Sequence, residues 1–215
     1  MAKNENTKHR NNHSLYLAKS GYGKTQTLRR RSGIDERGRV ILWDPNKDHE
    51  ADARFTKLSE FFRGLASAER SGKAYRVAYV GDAHPNYFEK WAQAAWSVLD
   101  GNRLTYLLVE EYSNCCRTPG TLEIERDYHH RMLWTQARKY GGVIHATSQR
   151  PQLITKDALG NAGHIWAGRM DSRAARAVAD EIDVPWQEFK SMDVGQFYYR
   201  AEGGEAEKIQ VFTPI

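Results

Sequence analysis

The chain has 215 residues, of which 40% are hydrophobic, 11% aromatic and 27% charged. That composition suits one compact globular domain, or two small ones, and excludes disordered, collagen-like and low-complexity classes. Lys plus Arg exceed Asp plus Glu by 32 to 27, a formal net charge of +5 that leans toward a polyanionic partner. Apolar runs such as Val40-Ile41-Leu42-Trp43 are strand-sized, far short of the ~20 residues of a membrane helix. The polar, basic start is unlike a secretory signal, so the expected location is the cytoplasm. Cys115 and Cys116 are neighbours and cannot bridge distant parts of a fold, and no Cys/His set has zinc-site spacing.

In chain order, residues 1–13 carry Lys3, Lys8, His9 and Arg10 among asparagines and read as a flexible basic arm, with a single domain from 14 to 215. Strands are expected at 15–18, 40–43, 75–80, 104–109, 143–147 and 165–167, where apolar bursts are bounded by Gly, Pro and Asp. Helix-length stretches at 86–99, 122–140 and 173–182 alternate with them. Phe88, Trp91, Ala95 and Leu99 repeat at helical spacing as core positions. The alternation predicts an α/β fold with a mostly parallel sheet flanked by helices. Segments 196–200 and 208–212, either side of Gly203-Gly204, predict an edge hairpin.

Ala18-Lys19-Ser20-Gly21-Tyr22-Gly23-Lys24-Thr25 follows the first strand and opens a helix through Gln26, Thr27 and Leu28. Glycines 21 and 23 let the backbone curl so that amides from Ser20 to Gln26 point at phosphate oxygens, and the helix dipole adds to the same spot. Lys24 is placed to neutralise β and γ phosphates, and the Thr25 hydroxyl to ligate Mg²⁺. ATP and Mg²⁺ are therefore the expected cofactors.

The strand at 104–109 runs directly into Glu110-Glu111, at the carboxyl end where open α/β sheets bind ligands. Glu110 is expected to hold Mg²⁺ through a water, and Glu111 to act as general base on the attacking water. Gly142 to Ser148 reads as a buried strand ending in Gln149, whose amide can hold a water and a γ phosphate together. Arg138, in the basic end of the preceding helix, reads either as a helix C-cap or as an arginine finger acting on a neighbour's nucleotide.

Ala18 to Thr25, Leu107 to Glu111, and Ala137-Arg138-Lys139-Tyr140-Gly141-Gly142 leading into Thr147-Ser148-Gln149-Arg150-Pro151 together resemble the FtsK–HerA superfamily of DNA-pumping ATPases. The small size and the Trp43-Asp44-Pro45-Asn46-Lys47 turn look like the genome-packaging ATPases of membrane-containing icosahedral viruses of the tectivirus type. The resemblance implies a RecA-like P-loop NTPase of the additional-strand catalytic-glutamate type. In it the Gln149 strand lies between the phosphate-loop strand and the Glu110-Glu111 strand. It further implies a homohexameric ring around double-stranded DNA, docked at capsid vertex proteins, that drives DNA into a preformed capsid. Two positions depart from the pattern: Ala18 replaces a glycine, and Glu110 stands where aspartate is commoner. A morphogenesis ATPase of the same superfamily and a nucleotide-dependent binding module at a capsid vertex are the alternatives. A motor on arbitrary sequence grips phosphates, and the basic candidates are Arg117, in the loop after the acidic pair, and Arg29-Arg30-Arg31 with Arg37 and Arg39.

Overall fold

The computed structural model describes residues 2–35 and 37–213. Among them are nine strands: β1 (Ser14–Leu17), β2 (Arg39–Trp43), β3 (Ala53–Phe55), β4 (Tyr75–Tyr79), β5 (Thr105–Val109), β6 (Gly142–Ser148), β7 (His164–Ala167), β8 (Gln196–Ala201) and β9 (Glu207–Gln210). They form one sheet in the order β3-β4-β2-β5-β6-β1-β7-β8-β9. Helices are α1 (Lys24–Arg31), α2 (Leu58–Ser71), α3 (Pro85–Ser97), α4 (Tyr128–Gln136), α5 (Lys156–Asn161) and α6 (Ser172–Ile182). Pairings of β1 with β6 and β7, of β2 with β4 and β5, and of β3 with β4 are parallel; β7 with β8 and β8 with β9 are antiparallel. The fold is that of a P-loop NTPase, with β6 inserted between β5 and β1 as the resemblance implies.

The chain divides into two compact units, and β6 contributes residues 142–144 to the first and 145–148 to the second. The first comprises the arm up to Arg10, Ile34–Glu110 and Leu122–Ile144. Its core lies where α3 covers β2: the Trp43 ring meets Phe88 edge-on at 5.2 Å, and the Trp91 indole donates to the Leu42 carbonyl at 3.2 Å. Truncating so large a buried ring costs about 3–5 kcal/mol, so this contact fixes α3. α4 is shorter than the sequence predicts. It starts at Tyr128, where both carboxylate oxygens of Glu89 take the first-turn amides of His129 and His130 at 2.9 and 3.0 Å, and ends in a 3-10 turn, Ala137–Tyr140.

The basic arm is a correction. Backbone bonds join the Lys3 amide to the Leu99 carbonyl at 3.1 Å and the Asn6 amide to the Lys139 carbonyl at 2.7 Å. His9 Nε2 donates to the Gly101 carbonyl at 2.7 Å, and the Asn4 amide donates to Asp100 at 2.9 Å. Polar side chains and main chain, not apolar burial, hold it down.

The second unit comprises Asn11–Gly33, Glu111–Thr121 and the chain from His145 onward. β1 is buried along its whole length between β6 and β7. β8 runs antiparallel to β7 (Ala167↔Tyr198, His164↔Ala201), and β9 returns beside it (Tyr199↔Glu207, Gln196↔Gln210). The expected hairpin is thus present, and it brings the chain back to the edge where β1 ends.

Candidate active site

The phosphate loop leaves β1 at Ala18, which is fully buried. Its amide donates to the Ser148 carbonyl at 3.3 Å, and the Lys19 amide to the Arg169 carbonyl at 2.7 Å, so the loop is anchored on both flanking strands. The Ala18 methyl packs against Gly168, where a Cβ would lie 2.9 Å from the Phe197 ring and 3.0 Å from that methyl. Gly21 and Gly23 have φ of +80° and +93°, the left-handed region that glycine adopts without a Cβ penalty. Gly23 caps α1 with no side-chain hydrogen bond, and the Thr27 amide bonds back to its carbonyl at 2.8 Å. α1 therefore opens without a side-chain cap, the kind of helix start that receives an anion. Lys24 is buried, Thr25 half-buried, and Ser20, Gly21 and Gln26 exposed. Tyr22, half-buried, packs under the Arg169 guanidinium at 5.2 Å.

Glu111 and Gln149 meet. The Gln149 amide donates to Glu111 Oε1 at 2.5 Å, and the Glu111 main-chain amide donates to the Thr147 hydroxyl at 3.2 Å. Glu111 itself has φ 49° and ψ 52°, a left-handed conformation costly for a residue with a Cβ. β6 therefore holds the expected base at its carboxyl end with a side-chain amide and a hydroxyl. Strain of this kind persists where the surroundings over-determine it.

Glu110 sits in the first unit, nearly fully buried, and accepts a bond from His49 Nε2 at 2.5 Å. The turn after β2 builds this contact. Buried Asp44 accepts the amides of Asp48 at 2.9 Å and His49 at 3.0 Å, which folds residues 44–49 around its carboxylate and delivers His49 to the end of β5. Burial raises the Asp44 pKa, and those two amide bonds oppose the rise. His49 is the residue that sequence reasoning misses: a lone histidine has no spacing signal, and its partner is 61 residues away.

Arg138, expected as a helix C-cap or a finger acting in trans, is engaged within its own chain. It lies ahead of the amino end of β6, at the other end of that strand from Gln149, and its guanidinium donates to the carbonyls of His9 at 2.6 Å and Thr7 at 3.3 Å. It ties down the arm. Arg117 is half-buried. Arg30 and Arg31 are exposed but lean on rings, Arg30 over Phe212 at 5.5 Å and Arg31 over Trp166 at 5.9 Å; Arg29 is exposed as well. In the first unit Arg37 is exposed, whereas Arg39 is buried and paired with Glu69. A basic surface that the sequence reading does not single out lies at the ends of β6, β1 and β7. It is a cleft of about 390 Å³ with Lys19, Arg150, Arg169 and Lys190 in its wall beside Gln149. Its one carboxylate, Asp171, is occupied in capping α6.

Among the described residues there is no cluster of three His, Cys, Asp or Glu side chains suited to a metal, and no helix long and apolar enough to cross a membrane. Oxygen donors are the kind Mg²⁺ takes, and the Thr25 hydroxyl and the Glu110 carboxylate are of that kind.

No family model matches the chain. It is 26% identical over 186 residues to Protein P9 of Pseudoalteromonas phage PM2, a homologue, with 85% of this chain and 80% of that protein covered. The genome packaging NTPase B204 of Sulfolobus turreted icosahedral virus 2, in complex with AMPPCP, superposes with a TM-score of 0.71 at 13% identity, over 94% of this chain and 98% of that one. B204 of Sulfolobus turreted icosahedral virus, described as a DNA-packaging ATPase, gives 0.66 at 12% identity over 95% and 100% of the two chains. VirB4 of Thermoanaerobacter pseudethanolicus gives 0.64 at 13% identity over 94% and 90%.

Proposed function

We propose that this chain is an ATP-driven motor that moves double-stranded DNA into a preformed viral capsid. The observation that carries the reading is the Gln149–Glu111 contact on the inserted strand next to the phosphate loop. The likeness to packaging NTPases over nearly the whole chain supports it. The loop amides from Ser20 to Gln26 and buried Lys24 bind the triphosphate. Bound Mg²⁺ would supply charge neutralisation for the triphosphate. Thr25 offers it a hydroxyl, and Glu110 is proposed to hold it through a water. Glu111 takes the proton of the attacking water. Its carboxylate is held by the Gln149 amide, and a γ phosphate that competes for that amide leaves the carboxylate to the water. Gln149 is thus both brake and sensor.

Subunits are proposed to act as a ring, a homohexamer docked on capsid vertex proteins, working in the host cytoplasm or at the virion's packaging vertex. With Arg138 engaged by the arm, the trans finger falls to exposed Arg150 at the carboxyl edge. DNA phosphates are proposed to be met by Arg117, by Arg29 to Arg31 and by the basic cleft.

ATP turnover with and without random-sequence duplex tests this reading. Lys24→Ala should lose nucleotide binding and turnover, while Glu111→Gln should bind ATP and not hydrolyse it. DNA affinity should fall steeply with salt and ignore sequence. An active Glu111→Gln protein would remove Glu111 from the role of base, and a strong preference for one DNA sequence would overturn the motor.

A further inference from the structure

We infer that Phe212 is the platform on which the base of the bound nucleotide stacks, and that it gives this site a preference for purine nucleoside triphosphates. The inference rests on the nucleotide reading above and deepens it. β8 leaves the carboxyl edge of the sheet at Gln196, and β9 returns to that edge at Gln210. The predicted strand therefore stops two residues short of Phe212, which leaves the ladder beside the phosphate loop. There the tip of its ring lies against Gly23. A Cβ on that glycine would collide with Phe212 Cζ, so the loop glycine is required by this contact as well as by its φ of +93°.

The segment is pinned in place. The Val211 amide donates to the Gly195 carbonyl at 2.8 Å, and the Gln210 side-chain amide donates to the Phe212 carbonyl at 2.5 Å and the Val194 carbonyl at 3.3 Å. Gly195 at φ +81° leaves room for the Phe212 carbonyl, since a Cβ there would strike it. The backbone on both sides of this half-exposed aromatic is thus fixed, and the Arg30 guanidinium lies 5.5 Å over its ring. A nucleotide whose phosphates lie on the amides of Gly23 to Gln26 extends its ribose and base away from that loop, and a flat apolar ring at the loop's edge matches a base. Stacking on an aromatic is indifferent to base identity in kind but grows with the π surface. Two-ring bases are therefore held better than one-ring bases. An arginine plane on the same ring adds to the stack.

Calorimetric titration of the full chain with ATP, CTP and inorganic tripolyphosphate tests the assignment. Wild type should bind ATP several-fold more tightly than CTP. Phe212→Leu keeps an apolar cover over Gly23 and should weaken ATP roughly tenfold or more, while leaving tripolyphosphate unchanged. Phe212→Tyr should restore ATP binding. Equal weakening of ATP and tripolyphosphate would make Phe212 a support for the loop only, and would overturn the inference. So would a wild type that binds ATP and CTP alike, a reading that needs no variant to fold. Wild type that binds neither ATP nor tripolyphosphate would remove the nucleotide reading itself, and this inference with it.

Discussion

At Glu111 the backbone and the chemistry make opposite demands. A residue with a Cβ at φ 49° and ψ 52° is strained by roughly 1 kcal/mol, and the surrounding bonds from Gln149 and to Thr147 hold it there. Alanine and glycine at this position both delete the contact with Gln149, but glycine alone relieves the strain. Glu111→Gly should therefore be more stable than Glu111→Ala by about 1 kcal/mol, the reverse of the usual order in ordered backbone. Urea denaturation of the two proteins decides it, and an alanine variant at least as stable as the glycine one would show an unstrained backbone. His49 makes a different prediction. Its ring donates to a carboxylate that is 2% exposed, and loss of a buried bond to a charged group costs about 1.5–3 kcal/mol. His49→Ala should lower stability by that amount, with part recovered in His49→Gln, whose amide also offers a donor. An alanine variant as stable as wild type would mean that Glu110 does not depend on this ring.

The elements that carry the chemistry were legible because each is written locally. Glycines 21 and 23 with Lys24 announce a loop between strand and helix, and an apolar run that ends in Glu110-Glu111 announces a buried strand reaching the ligand edge. What the sequence conceals is held together over long separations or by polar contacts. β3 is three residues long and too short to show a period, whereas α2 does carry one, Leu58, Phe61, Phe62 and Leu65 at helical spacing, which the reading of helices above passes over. The arm lacks apolar residues to mark it as docked, since its anchors are main-chain amides, asparagines and the guanidinium of Arg138. Phe212 lies 189 positions from the glycine it touches. The arm supplies an element-scale test. Arg138→Ala removes two bonds to the carbonyls of Thr7 and His9, and at about 1 kcal/mol for a typical net bond, about 2 kcal/mol for the pair, the arm should open roughly thirtyfold more often. Hydrogen exchange at the Lys3 and Asn6 amides should quicken accordingly, while ATP turnover per subunit stays near wild type. A protein with the arm still protected and hydrolysis lost would return Arg138 to the role of a finger.

Over the molecule as a whole, the excess of cations and the buried histidines give acid two separate effects. The net charge of +5 grows as carboxylates protonate, which raises self-repulsion. The sharper effect is at His145, inside β6. Burial, and then the nearby His13 and His164, lower its pKa from 6.5 to about 3. Its Nδ1 faces the Tyr16 hydroxyl at 3.3 Å, and burial raises that tyrosine in turn. Between about pH 6.5 and 3 the unfolded chain binds a proton at this position that the folded chain refuses. The stability linked to His145 is complete above about 6.5 and drains as pH falls, with a slope approaching 1.4 kcal/mol per pH unit, about the value of one proton. His164, half-buried and lowered by burial against the pull of Glu202, adds to the same slope with the same sign. Urea midpoints should therefore fall steadily from about pH 7 to about pH 4.5 in wild type. His145→Asn should start lower, having lost its packing against Tyr16, and should fall less steeply over that range. Parallel declines in the two proteins would assign the acid sensitivity to surface carboxylates instead of the strand that carries Gln149.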